Sequence, residues 1–176
     1  MEETLISYYP DGIKSYEITF LGDTIHGSEI SYYPSGFKKS ETLYVNGDLN
    51  GATTDFFPSG QIEFQRIYLK DKPNGKSVKF YPNGQIKSEK FYKNDILHGE
   101  CNKYYDDGTL KSQCYYENGL LDREEQTYYP TGSIRTSKEY QLGKLNRSAS
   151  YYDEDGKLVQ CCIYSYGQYL GEGYTN

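Results

Sequence analysis

The sequence predicts an all-β protein: an elongated, single-layer antiparallel meander of stacked hairpins that forms an open, twisted sheet. Two observations predict it, a glycine that recurs every 24 residues and two tight-turn signals within each interval. We therefore expect a single repeat domain over residues 1–176, with seven hairpin repeats at roughly 3–170 and short terminal caps. The seven spaced glycines are Gly12, Gly36, Gly60, Gly84, Gly108, Gly132 and Gly156.

Aromatic residues keep the same period as these glycines. An aromatic side chain stands four residues before each glycine and another stands eight residues after it, as Phe80 and Tyr92 do around Gly84. A further glycine recurs at Gly27, Gly51, Gly75, Gly99 and Gly171, and arginine takes its place at Arg123 and Arg147. Seven units without an insertion indicate a structural repeat.

The first turn of each repeat is typified by Tyr81-Pro82-Asn83-Gly84. Proline suits the second position of a type I turn, and glycine accepts the left-handed conformation that closes it with a bulge. This hairpin pairs Tyr81 with Gln85, Phe80 with Ile86 and Lys79 with Lys87. The second turn is marked by Asn-Gly, as at Asn46-Gly47, which pairs Tyr44 with Leu49.

Strict alternation from this register puts Phe80, Ile86 and Tyr92 on one face, with their equivalents in neighbouring repeats. It also requires a bulge or wide turn near Gly27, Gly51, Gly75 and Gly99, because the Asn-Gly turn would otherwise exchange the two faces. The opposite face takes the residues that we predict to bind a partner. They are Tyr81, Tyr105, Tyr129, Lys79, Lys87, Lys103, Lys111 and Arg135.

The predicted site is basic, whereas the whole chain is acidic. Lys79 opposite Lys87, and Lys103 opposite Lys111, place like charges across strand pairs, which is mildly destabilising. A chain with net charge −6 that keeps such a stripe favours an acidic or anionic partner, with the tyrosines as amphipathic anchors. The alternative is structural: Glu89 relieves the repulsion, and the lysine stems cover aromatic surface.

Composition argues against several other function classes. A pI near 5.0 does not favour binding to nucleic acid, and membrane association is not favoured either. Neither an apolar run of spanning length nor a signal-peptide pattern occurs in the sequence, so we expect a cytoplasmic protein. The four cysteines show no zinc spacing, and the predicted register places Cys101 and Cys114 on opposite faces.

Catalytic chemistry finds no support in the sequence. The two histidines, His26 and His98, occupy one repeat position just before a glycine, which indicates a structural role rather than a catalytic base. No nucleotide-binding glycine motif and no calcium-loop spacing occurs. We therefore predict no enzyme activity, no cofactor and no metal.

The pattern GxxxxYYPxGxxKxxxxYxxGxxxG resembles the MORN-type repeat, and it is most similar to the bacterial variant of YwqK-type antitoxins. The resemblance covers roughly residues 3–171, with departures at Asp106, Asp153 and Glu154 as well as at the two arginines. It implies stacked hairpins with an aromatic-lined groove, no catalytic residues and a role in protein contacts. Its antitoxin branch implies neutralisation of a partner toxin. The alternative that it implies is a MORN-type structural or membrane-proximal scaffold.

Overall fold

A computed structural model describes residues 1–174, which contain no helix and form fifteen β-strands in one open sheet. Each strand is antiparallel to its neighbours, and the spatial order is the sequence order. The predicted meander of stacked hairpins is thus confirmed. The strands are β1 Glu2–Tyr8, β2 Lys14–Leu21, β3 Thr24–Tyr32, β4 Lys38–Val45, β5 Asp48–Phe56, β6 Ile62–Leu69, β7 Lys72–Phe80, β8 Ile86–Lys93, β9 Ile96–Tyr104, β10 Leu110–Glu117, β11 Leu120–Tyr128, β12 Ile134–Gln141, β13 Lys144–Tyr152, β14 Leu158–Ser165 and β15 Gln168–Glu172.

The chain divides into two compact units, and we describe each by itself. The N-terminal unit contains Met1–Gly84 and Tyr92–Asp95. The C-terminal unit contains Gln85–Phe91 and the residues from Ile96 onward. No helix long and apolar enough to cross a membrane occurs in the described residues.

The first turn of each repeat has the predicted geometry. In the C-terminal unit the amide of Gly108 donates to the carbonyl of Tyr105 at 3.1 Å, and the amide of Tyr105 donates to the carbonyl of Thr109 at 2.8 Å. Gly108 has φ of 89°. This combination is the type I turn closed by a left-handed glycine that the sequence predicts.

The second turn is also as predicted where the sequence reads Asn-Gly. Asn46 and Gly47 both have positive φ, 51° and 90°, and Tyr44 pairs with Leu49. Such a turn matches the right-handed twist of the strands that it joins.

The predicted bulge at the second glycine series is confirmed at three positions. Opposite Thr19, Leu43 and Ile67 the register breaks, so that three residues of the partner strand face one. The middle residue of each triplet is Gly27, Gly51 or Gly75, with φ between 93° and 119°. These backbone angles are rarely adopted by residues with a Cβ atom.

A second bulge was not predicted, and it changes the assignment of faces. Tyr104 pairs with Leu110 as expected, but Lys103 pairs with Ser112, so the prediction that Lys103 faces Lys111 is wrong. Lys111 is the extra residue of a one-residue bulge. Among the strand pairs whose register the structure describes, the same bulge occurs at Ser15, Lys39, Glu63, Lys111, Arg135 and Val159.

Because one extra residue inverts the alternation, the predicted single aromatic face is also wrong. In the C-terminal unit Tyr104 shares a face with Asn102 and Gln113, whereas Tyr116 shares the other face with Cys101 and Cys114. We call the side with Cys101 and Cys114 the groove face, and the side with Asn102 and Gln113 the reverse face. Each face therefore carries one of the two aromatic series.

The inverted alternation also corrects the prediction for the cysteines. Cys101 and Cys114 are directly opposite one another on β9 and β10, and the Cys114 thiol lies 3.5 Å from the Cys101 carbonyl oxygen. The side-chain hydrogen bond between the two thiols lowers the pKa of Cys101 to about 7 and raises the pKa of Cys114. Both thiols are free and lie on the groove face.

Because a single layer leaves both faces near solvent, packing between neighbouring repeats matters more than a deep core. Ala149 is the most enclosed of the buried apolar residues, and Ile18, Ile30, Cys101 and Cys162 retain between 5% and 8% exposure. Tyrosine hydroxyls link successive repeats. Those of Tyr9, Tyr33, Tyr105 and Tyr129 each donate to a backbone carbonyl 23 residues ahead, at 2.7–2.9 Å.

Stability is expected to fall between pH 10 and pH 12 because several phenols hold their protons tightly. Burial, followed by nearby Glu29 or Glu125, raises the pKa of Tyr44 and Tyr140 from its ordinary value near 10 to about 12. The folded state thus binds these protons more tightly than the unfolded state. The contribution is complete below pH 10 and is lost as the pH rises through 12.

Urea unfolding midpoints measured from pH 9 to pH 12 test this expectation. The Tyr44→Phe/Tyr140→Phe variant should lose less stability over this interval than the natural chain. Equal losses in the two proteins would show that these phenols do not carry the effect.

Candidate functional site

A groove of about 660 Å³ crosses the groove face of the C-terminal unit, over strands β9 to β14. Its floor consists of short hydroxyl side chains, including Ser112, Thr127 and Thr136. The hydroxyls of Thr127 and Thr136 lie 2.7 Å apart across β11 and β12. In the N-terminal unit Phe64 stands at the repeat position of Ser112. The groove thus has a small polar side chain at a position where that repeat has a phenylalanine ring.

The walls of the groove combine tyrosine rings with cations at the bulge position. Lys111 places its Nζ 5.1 Å from the centre of the Tyr105 ring, and the Arg135 guanidinium lies 5.7 Å from the Tyr129 ring. These two ring–cation pairs are equivalent in successive repeats, with both cations on bulges. At such distances a cation is attracted by the ring quadrupole.

The rings are fixed by the fold rather than by the cations. The Tyr105 hydroxyl donates to the carbonyl of Tyr128 at 2.8 Å, and that of Tyr129 donates to the carbonyl of Tyr152 at 2.9 Å. Each hydroxyl therefore links its turn to the next repeat, and the ring is held in one orientation. A rigid aromatic wall costs little conformational entropy when a partner binds.

The charge in the groove is opposite to that of the whole chain. Four cations line it, Lys103, Lys111, Arg135 and Lys138, against two carboxylates. Lys138 is opposite Glu125 in the register. The other three are exposed, and within residues 1–174 they form no ion pair. The groove therefore carries cations that are available to an acidic ligand.

Five of the eight predicted binding residues line this groove: Tyr105, Tyr129, Lys103, Lys111 and Arg135. The other three, Lys79, Tyr81 and Lys87, are not among its lining residues. In the N-terminal unit Lys79 lies on β7 with its Nζ 5.7 Å from the Phe64 ring, and Tyr81 begins the turn after β7. In the C-terminal unit Lys87 is an exposed residue of β8. That all eight bind a partner remains a prediction.

Three further lining residues were missed because the bulge was missed. Without it, Ser112, Thr136 and Lys138 would belong to the aromatic ladder face, whereas the structure places them in the groove with Lys103. A partial signal was present, since lysine or arginine at the third residue after a glycine fits a bulge as well as it fits a strand.

The histidine position acts in turn capping in several repeats. The amide of Asn46 donates to Nδ1 of His26 at 3.3 Å, and equivalent side chains Asn74, Asp122 and Asn146 accept from amides 20 residues ahead. The predicted structural role of His26 is thereby confirmed. His98 Nδ1 has Glu117 Oε1 at 3.6 Å.

Two arginines on β11 and β13 adopt the left-handed backbone that other repeats give to glycine. Arg123 has φ of 68° and stacks 3.6 Å from the Tyr115 ring, whereas Arg147 has φ of 73° and pairs with Glu139 at 3.1 Å. In each case the partner stands at the repeat position of Leu43, which contacts Gly51. Where arginine replaces the glycine, the leucine that would lie against it is thus also replaced, by a side chain that contacts the arginine.

The two arginines are expected to respond differently to glycine. Arg147→Gly should be at least as stable as the natural chain, because it relieves about 1 kcal/mol of backbone strain and loses only an exposed ion pair. Arg123→Gly should be less stable than Arg147→Gly by about 1 kcal/mol, since it loses the stacked ring. Thermal unfolding of both variants checks this, and the reverse order would contradict it.

Comparison with known proteins supports the repeat assignment in part of the chain. The family model described as "MORN repeat variant" matches residues 25–46, 73–94 and 97–118, which together cover less than half of the chain. MORN repeats generally serve as protein-interaction modules and are generally not enzymes. A search of curated proteins gave no significant match.

Solved structures also give matches. One is described as "Crystal Structure of TcdB2-TccC3-Cdc42"; it shares 11% identity with this chain at a TM-score of 0.27. The match covers 92% of this chain but only 12% of that one.

Proposed function

We propose that this chain is a non-enzymatic interaction module that binds another protein through the basic, tyrosine-walled groove of its C-terminal unit. The observation that carries the proposal is a set of three exposed cations that form no ion pair with any residue from 1 to 174, Lys103, Lys111 and Arg135, at one groove of an acidic chain. Rigid tyrosines beside them resemble the aromatic and basic anchors that dominate protein interfaces. The MORN-type matches support the same general role.

We further propose that the partner is a toxin, and that the chain acts as a cytoplasmic antitoxin or immunity-type protein that neutralises it. Two observations support this proposal. The repeats of the chain resemble those of antitoxins, and the cations of the groove favour an acidic partner. Neutralisation would follow from occupying a surface that the toxin needs, without any chemical step by this chain.

Co-expression with the protein of a neighbouring gene tests this proposal. The neighbour alone should arrest growth of the host, and growth should return when this chain is present and forms a complex that co-elutes with it. The proposal fails if no neighbour is toxic, or if rescue occurs without a complex.

A structural or membrane-proximal scaffold is the second candidate, because the same exposed cations would attract anionic headgroups. Sedimentation with vesicles containing phosphatidylserine separates the two candidates. The scaffold at a membrane requires binding to these vesicles that decreases with added salt, and an absence of binding removes it.

A further inference from the structure

The groove runs across the strands, and its ring–cation pairs repeat at a fixed interval. Lys111 with Tyr105 and Arg135 with Tyr129 occupy the same position two strands apart. Because neighbouring strands are separated by about 4.8 Å, equivalent positions recur about every 9.6 Å along the groove. A ligand that makes the same contacts with both ring–cation pairs must therefore have the same chemical group at intervals of about 9.6 Å.

The backbone of the sheet offers nothing to such a ligand. The strands below the groove, β10 to β13, are each paired on both sides, so none of them has an open edge. A peptide in the groove therefore cannot add as another strand. The backbone of such a peptide must therefore either stay hydrated or lack hydrogen-bond donors.

One peptide conformation meets both requirements. A polyproline II helix has three residues per turn and rises about 3.1 Å per residue, so that every third side chain returns to the same side after about 9.3 Å. Its backbone makes no internal hydrogen bonds and is solvated, and proline removes the amide donor altogether. Aromatic-lined grooves suit this conformation, because its ordering costs little entropy.

The charge of the groove indicates which side chain the peptide should have at every third residue. Lys103, Lys111 and Arg135 have no carboxylate partner within residues 1–174, so each third side chain should be an acid. In the next repeat the pattern stops, because Val159 stands at the bulge and Asp153 replaces the ring. The ligand is therefore short, and its acidic positions should not extend past Arg135.

We propose that the groove binds an acidic segment in the polyproline II conformation, with a carboxylate at every third residue, lying across the strands from β9 to β13. This inference rests on the proposed function, since it specifies which part of a protein partner the groove takes. It adds a periodicity that charge alone does not require.

Synthetic peptides test the periodicity directly. Peptide one contains three Pro-Pro-Glu triplets, peptide two has the same composition with its three glutamates adjacent, and peptide three replaces glutamate by glutamine. Fluorescence anisotropy with the full chain should give binding of peptide one at least tenfold tighter than peptide two, with peptide three weaker than both. Lys111→Glu/Arg135→Glu should abolish the preference for peptide one.

Each other result overturns the inference. Equal affinity for peptides one and two would show that the groove reads charge without spacing. An absence of binding to peptide one, or binding only to phosphatidylserine vesicles, would show that the groove does not take such a segment. These results leave the proposed function standing if a toxin still forms a complex that rescues growth, so the two failures can be distinguished.

Discussion

Replacing Gly51 by valine is expected to destabilise the N-terminal unit by about 3 kcal/mol. Gly51 has φ of 119°, and a Cβ atom there would come within 3.1 Å of the Leu43 side chain. Valine adds two methyl groups to this contact and is among the residues least tolerant of positive φ. Backbone strain and overpacking therefore act together.

Gly12→Ala separates these two costs. Gly12 has a positive φ of 86°, but beyond its chain neighbours no atom of residues 1–174 lies within 4 Å of the place that a methyl group would take. Alanine there should therefore cost about 1 kcal/mol from strain alone. Urea unfolding of the two variants gives the comparison. If Gly51→Val is no worse than Gly12→Ala, the close approach between the bulge and Leu43 does not stabilise the repeat.

Reversing two groove charges is expected to weaken partner binding about 100-fold. Lys111→Glu/Arg135→Glu replaces both cations of the ring–cation pairs, and it would place carboxylates against an acidic ligand. Both residues are exposed and lie on bulges, so the fold should be retained. Calorimetric titration of the partner into natural and variant chains measures the loss.

The matched control is Lys39→Glu/Lys72→Glu, which makes the same change in net charge within the N-terminal unit. Lys39 occupies the bulge position that Lys111 has in its own repeat, and both control residues are exposed. Partner affinity should change less than threefold. An equal loss in both variants would mean that the net charge of the chain, rather than the groove, attracts the partner.

The fold could be predicted from the sequence because its turns are local. The type I turn needs only Pro82, Asn83 and Gly84, and the Asn-Gly turn needs two adjacent residues. A bulge at Gly27, Gly51 and Gly75 was expected from parity, but it sets three residues against one and so leaves the alternation unchanged. The one-residue bulge at Lys111 and its equivalents is the one that keeps the faces of each repeat. In contrast, the bulge at Lys111 has no glycine and no special dihedral requirement that would mark it.

That missed bulge accounts for most of what could not be predicted about the site. Five of the predicted residues do line the groove. They could be found because lysine, arginine and tyrosine recur every 24 residues, and that spacing is visible in the sequence without knowing the face of each residue. Lys138 was missed, since its face depends on one extra residue at Arg135. The open floor also depends on tertiary structure: Ser112 and Thr136 leave space only when neighbouring strands bring small residues together.

The most direct test of the central claim is hydrogen–deuterium exchange of the whole chain with and without its partner, read for the groove and for the N-terminal unit. If the partner binds in the groove, slowed exchange on binding is concentrated in β9 to β13 and in the turns that carry Tyr105 and Tyr129. Slowed exchange confined to residues of the N-terminal unit, with none at these turns, would contradict the claim.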